Sequence, residues 1–253
     1  MTVEALYKLL DREIPSSLSC EWDNDGLMCS SCLSREVERV LCTLDVTEDA
    51  VEYAIENGFD LIISHHPLIF TPLSSVAPHE AVARKIMRLL EAQISVFSFH
   101  TRADAHDNGV NARLARMLGL KNVRKFGPEG EEMGRIGEIA PMELSEFCAL
   151  TKKALGSPVV LASGNLIVNK VAVLGGNGKD FVTSAIEAGA DTYLSGRISY
   201  EKTLSAKEVG INLVEAGHFY TEHHITGFFA DLLGWLTPEA YTEIYCSNTI
   251  EVF

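Results

Sequence analysis

Slid against itself by 131 residues, the chain meets its own pattern. Val40 aligns with Val171, Asp49 with Asp180, and Ala54-Ile55-Glu56 with Ala185-Ile186-Glu187, while Gly58, Asp60 and Ser64 fall on Gly189, Asp191 and Ser195. Matches at one fixed offset mark a repeated supersecondary unit, and their content says which unit. Val37 to Leu44 reads as a strand. Thr47 can cap a helix running from about Ala50 to Asn57, with Glu48 and Asp49 facing the positive end of its dipole. Gly58 ends that helix, and Asp60-Leu61-Ile62-Ile63 forms a second, buried strand. A strand-helix-strand unit implies parallel pairing through a crossover helix. The expected fold class is therefore α/β, built from a duplicated β-α-β unit.

At 253 residues and 47% apolar content, the chain can bury one large core or two modest lobes. Its apolar runs are strand-length and fall short of the roughly 20 residues of a bilayer span. Met1-Thr2-Val3-Glu4-Ala5-Leu6 lacks the basic and apolar regions of an export signal, so a cytoplasmic location is expected. The six cysteines are then reduced thiols rather than a disulfide framework, and the lone Cys29-Ser-Ser-Cys32 is too weak a signal to join the site. With 21 basic against 35 acidic residues, a net charge of −14, nucleic acid is a poor partner.

The chemistry lies at strand ends. His65-His66 directly follows Asp60-Leu61-Ile62-Ile63-Ser64, and as adjacent residues at a strand mouth the two are expected to point to opposite sides. In the second copy these positions hold Gly196 and Arg197. The strand end is repeated while the imidazoles are not, which favours a chemical over a packing role. At an offset of 118, Val96 aligns with Val214, His100 with His218 and Asp104 with Glu222. Three strand ends thus carry imidazoles and carboxylates, the donors that suit a borderline divalent cation and can bridge two. The plainer reading has each histidine closing a local hydrogen bond. For His65, His66, Asp104, His218 and Glu222 together, a two-metal centre is the better reading. His100 and His106 are candidates for proton transfer, although His106 reads first as a loop or helix-surface histidine, and His223 and His224 take supporting or surface roles rather than ligation. Gly175-Gly176-Asn177-Gly178 matches neither a dinucleotide nor a phosphate-loop motif and reads first as a tight turn, with anion binding by its backbone amides as the alternative.

Trp22-Asp23-Asn24-Asp25-Gly26-Leu27, Ser64 through Phe70, His100 through His106, Gly109-Val110-Asn111, Ser195-Gly196, and Gly217-His218 with Thr221-Glu222 together resemble the Nif-three-like family, often named GTP cyclohydrolase type I, type 2 homologues. The resemblance implies two intertwined α/β lobes with mixed sheets, a dinuclear metal centre between them, and a ring-shaped homohexamer. The lobes are expected at residues 1–125 plus 210–253, carrying the metal site, and at 126–209 as an inserted lobe. Carried over by position, the ligands are His65, His66, Asp104, His218 and Glu222, with Glu222 bridging and His100 beside the site as a further ligand or proton-transfer group. The ions are zinc, iron, manganese or cobalt.

Here Met28-Cys29-Ser30 replaces the family's usual continuation after Leu27, and Ala103 stands where a bulkier residue is common. The activity implied is metal-dependent hydrolysis of a small molecule, a nucleotide by the family name, with His100 and Glu222 as catalytic groups. Phosphoester hydrolysis would use the same centre. The alternative is a non-catalytic metal-handling or regulatory scaffold protein.

Overall fold

The structure, a computed structural model, describes residues 1–251, and it resolves into two compact units, each with its own sheet. The first comprises Met1–Ala103 and Ile225–Thr249; the second comprises Asp104–His224 with Ile250 and Glu251. Chain order gives α1 (Val3–Glu13), β1 (Gly26–Cys29), β2 (Arg39–Thr43), α2 (Glu48–Glu56), β3 (Leu61–Ser64), α3 (Ala81–Glu91), β4 (Ser95–Ser98) and the short α4 (Thr101–Ala105). There follow α5 (Val110–Met117), β5 (Lys121–Phe126), β6 (Gly134–Met142), α6 (Leu144–Leu155), β7 (Leu161–Ser163), β8 (Val168–Asn177), α7 (Val182–Glu187), β9 (Thr192–Arg197), α8 (Tyr200–Val209), β10 (Asn212–Glu215) and α9 (His218–Glu222). The chain ends with α10 (Ile225–Leu236) and β11 (Tyr241–Tyr245).

The first sheet has the order β1-β4-β3-β2-β11, antiparallel at β1 and parallel elsewhere. The second has the order β5-β6-β8-β9-β10-β7, with parallel pairing only across β8-β9-β10. Both sheets are mixed, as expected. Leu41, Ile62, Leu89 and Val96 anchor the first core; Leu114, Phe147, Val171, Leu194 and Val214 anchor the second. The divide falls at residues 103/104 and 224/225 rather than at the expected 125/126 and 209/210. The reason is packing: Leu114, Ala115, Leu118 and Leu120 share the core of Val171 and Val173, and β5 pairs with β6. Among the described residues, no helix is long and apolar enough to cross a membrane.

The duplication is visible bond by bond. The Asp60 carboxylate accepts from the amides of Glu38 and Arg39 (2.9 and 3.0 Å), and Asp191 accepts from those of Asn169 and Lys170 (3.1 and 2.6 Å). Each aspartate ties the start of its strand to the start of the strand before it. Phe59 N–H bonds to Ala54 O (2.9 Å), as Ala190 N–H does to Ala185 O (3.0 Å), after a glycine at φ +65° or +82° that closes the helix. Thr47 caps α2, its hydroxyl accepting from Ala50 N–H at 3.1 Å.

One expected alignment shifts. Phe99 N–H bonds to Ser64 O and Ala216 N–H to Ser195 O, both at 2.9 Å, so the structural offset at the third strand is 117 rather than 118. The counterpart of His100 is therefore Gly217. The two five-residue helices, α4 and α9, start at Thr101 and His218, again 117 apart.

Candidate metal centre

In the first unit, β3 stops at Ser64, whose hydroxyl donates to His66 O (2.9 Å) and closes a tight turn. The strand's alternation ends there. Instead of pointing to opposite sides, the His65 and His66 rings lie together, with centroids 4.9 Å apart. The His100 ring joins them, at 5.3 Å from His65 and 5.7 Å from His66. Each of the three offers one ring nitrogen within 4.8 Å of the others.

What aims the rings is a set of oxygens behind them. His65 Nδ1 donates to the buried Phe99 carbonyl (2.9 Å), His66 Nδ1 to Asp45 Oδ1 (2.7 Å), and His100 Nδ1 to Asp23 Oδ1 (2.8 Å). With Nδ1 committed as a donor, the neutral imidazole presents the lone pair of Nε2, which is how ligating histidines are oriented. The donor set fits a divalent cation.

The Trp22–Leu27 motif now acquires a physical role. The Asp23 side chain is fully buried, and its Oδ2 accepts from Thr101 N–H (3.0 Å) and the Thr101 hydroxyl (2.6 Å). Burial alone would push this carboxyl up, but the His100 and Thr101 donors overcome it and hold it well below the ordinary range. Two residues on, Asp25 takes both Nε and Nη2 of Arg102 (3.0 and 2.8 Å). Arg102 Nη1 reaches Asp11 (2.7 Å) and Ile14 O (3.0 Å). This buried guanidinium clamps the motif onto the start of α4, and although burial would lower its pKa, its carboxylate partners raise it.

In the second unit, α9 places His218 and Glu222 on one face, with His218 Nε2 2.8 Å from Glu222 Oε2. Carboxylate oxygens of Glu222 and Asp104 lie within 4.8 Å of each other. Asp104 sits on α4, four residues beyond His100, and the buried Asn111 braces it: Asn111 Nδ2 donates to Asp104 O (3.3 Å) while its Oδ1 accepts from Gly175 N–H (2.7 Å).

The glycine-rich segment is not a free turn. It continues β8 through a bulge, since Leu174 and Asn177 pair with Ser195 and Arg197. Gly176 adopts φ +64°, and a Cβ there would lie 2.1 Å from Glu222 Oε1 and 3.2 Å from His218 Nε2. Sequence reasoning saw the glycines but not that they make room for a carboxylate.

The remaining histidines divide. His106 Nδ1 accepts from Asn108 N–H (3.1 Å) and closes a turn. His223 stacks on Phe219 (4.8 Å, 12°), and His224 Nε2 donates to Thr221 O (2.9 Å). Burial lowers both, His224 to about 4, so they are neutral at pH 7.

A family model described as Duf34/NIF3 (NGG1p interacting factor 3) matches residues 1–251. A Clostridium perfringens protein named "GTP cyclohydrolase 1 type 2 homolog" is 31% identical over 229 residues, 88% of this chain and 87% of that protein. A Methanocaldococcus jannaschii protein of the same name is 31% identical over 225 residues, 88% of this chain and 90% of its own. The crystal structure of a Staphylococcus aureus protein superposes with a TM-score of 0.89 at 28% identity, covering 100% of this chain and 99% of the other. With strand-end histidines, paired carboxylates and two mixed sheets already in place, these likenesses over the whole length show that the chain belongs to the Duf34/NIF3 family.

Proposed function

We propose that this protein is a metal-dependent hydrolase of a nucleotide, binding two divalent ions (zinc, iron, manganese or cobalt) through His65, His66, Asp104, His218 and Glu222. Glu222 is the bridging carboxylate, and His100 and Glu222 are the groups that handle protons. The reading is supported above all by the His65 and His66 imidazoles, whose Nδ1 atoms are each bound by an oxygen, an arrangement that orients Nε2 for a cation. Ions held by these groups supply Lewis acidity and water acidified toward neutrality.

His100, braced by Asp23, is built to accept a proton at Nε2 while its charge is stabilised from behind. The second set, His218 with Glu222 and Asp104, brings the carboxylates that would offset cationic charge. The relatives' names speak of GTP cyclohydrolase, and a guanine nucleotide is the substrate we carry over from them. The ring-shaped hexamer belongs to the same reading.

Elemental analysis of protein never exposed to chelator is expected to find close to two equivalents of transition metal, with at least one lost in His65→Ala and in Glu222→Ala. Turnover of GTP with added manganese, zinc, iron(II) or cobalt then tests the hydrolase. Metal that survives dialysis with no turnover under any ion would move the protein to the metal-handling role. Absence of metal would end both.

A further inference from the structure

Two large aromatic rings stand beside the histidine cluster and face solvent. Trp22 is 56% exposed and Phe70 is 52% exposed, and they meet edge to face at 6.4 Å. Both also present an edge-to-face contact to the His100 ring, at 6.4 and 6.1 Å. Exposed rings are ordinary when they hang on loose loops. These are pinned. Cys20 N–H donates to Thr101 Oγ1 (3.0 Å), Asp23 is fixed by His100 and Thr101, and the Asn24 side-chain amide donates to the carbonyl of Ile69, next to Phe70. The two ring-bearing loops are thus tied to each other and to the segment that carries His100. Beside Phe70, on the side away from Trp22 and the histidines, opens a cavity of about 450 Å³ whose wall is part apolar (Leu68, Ile69, Leu73) and part polar (Thr71, Glu80, Lys85), and which falls in the range of small-molecule sites.

We propose that Trp22 and Phe70 form a stacking platform for a planar heterocyclic ring, and that this platform brings the ring, rather than a phosphate chain, up to His65, His66 and His100. The inference rests on the hydrolase reading above for the choice of a purine nucleotide. Every nucleobase offers a π-face, and aromatic side chains recognise it without needing further polar contacts. A phosphate subsite would instead call for converging cations or backbone amides. The rings themselves offer neither, and the one cation lining the cavity beside Phe70, Lys85, is turned to the carbonyl of Val46 (2.6 Å). The consequence is chemical: with the base beside the imidazoles, the bond opened is in the ring, whereas a phosphoesterase would need the phosphates there.

The chain has two tryptophans, so Trp235→Phe leaves Trp22 as the sole indole reporter. Full-length protein of measured metal content is titrated with guanosine, GTP and inorganic triphosphate while Trp22 fluorescence is followed. Saturable quenching by guanosine and GTP but not by triphosphate is expected. Phe70→Ala should weaken guanosine binding by about 5- to 150-fold, the span that loss of one stacking contact gives, and Phe70→Trp, read by calorimetry, should restore it. Metal content should be unchanged in both. Quenching in protein that holds no metal would support the platform and sink the metal reading. No response to guanosine in metal-replete protein, or an equal response to triphosphate alone, would overturn the platform and leave the metal reading standing. So would Trp22→Ala or Phe70→Ala variants that change the sedimenting species while guanosine binds as before, since the rings would then serve contacts between chains.

Discussion

Replacing Asp45 with alanine isolates the support behind one imidazole. His66 Nδ1 and Asp45 Oδ1 are 2.7 Å apart. Loss of a carboxylate behind a ligating histidine lowers metal affinity about 10- to 100-fold, or roughly 1.4 to 2.7 kcal/mol. The Asp45 side chain is 41% exposed, so water can take its place at Nδ1, and the effect is expected near the tenfold end. The same exposure means that the metal-free fold should scarcely notice: a change within about 0.5 kcal/mol. Competition against a chelator of known affinity reads the first quantity, and urea unfolding of metal-stripped protein reads the second. Asp45→Asn separates charge from size, because its amide can donate to Nδ1 and drive the proton onto Nε2, where a cation would bind. Wild-type metal affinity in Asp45→Ala, or a loss of apo stability above about 1 kcal/mol, would refute the assignment of Asp45 as an orienting group.

Three other perturbations follow from the geometry. Arg102→Met leaves the buried Asp25 carboxylate without its guanidinium and should cost about 3 to 5 kcal/mol by chemical denaturation; an unchanged midpoint would show that the clamp is idle. Gly176→Ala places a Cβ against Glu222 and should release metal, whereas Gly58→Ala, at nearly the same φ with open space around it, should cost only about 1 to 2 kcal/mol and keep its metal. Equal metal content in the two variants would contradict the proposed cradle. Burial pushes the Asp60 carboxyl up, but Arg35 and the amides of Glu38 and Arg39 pull it below its ordinary value on balance. Its stabilisation is therefore present above a pH of about 4 and lost as pH falls through the lower folded value. The gap between wild type and Asp60→Ala, about 2 to 3 kcal/mol at neutral pH from the two amides left without an acceptor, should narrow on acidification. A gap that widens would refute the sign.

Much of this was legible in the sequence because it is local. The repeat, the Thr47 cap and the glycine helix stops are set by neighbouring residues, and the structure keeps each of them. His65 and His66 were conspicuous as a pair, though their shared direction was not, since it depends on where β3 stops pairing. Asp23, Asp25 and Asp45 were harder. Each bonds a partner 21 to 78 residues away, and a lone aspartate after a strand or in a loop looks the same whether it orients a histidine or meets water. The glycines of β8 misled in another way, because a bulge that clears space for a side chain and a tight turn use the same residue type. Lobe boundaries were missed because α5 and β5 carry no signal for which sheet they join.

The single-residue slip between the copies changes where each histidine stands relative to its helix. In one repeat the histidine precedes its five-residue helix; in the other it is the helix's first residue, reaching Glu222 one turn later. Two descendants of a common backbone have thereby ceased to be interchangeable. Grafting His100–Asp104 onto the later copy would set an acid where Thr221 now donates to the carbonyls of Gly217 and His218, and would leave position 222 without one. The twin pair has become unlike: the earlier copy gathers three histidines, His65, His66 and His100, and the later copy sets a single histidine, His218, against the carboxylate of Glu222.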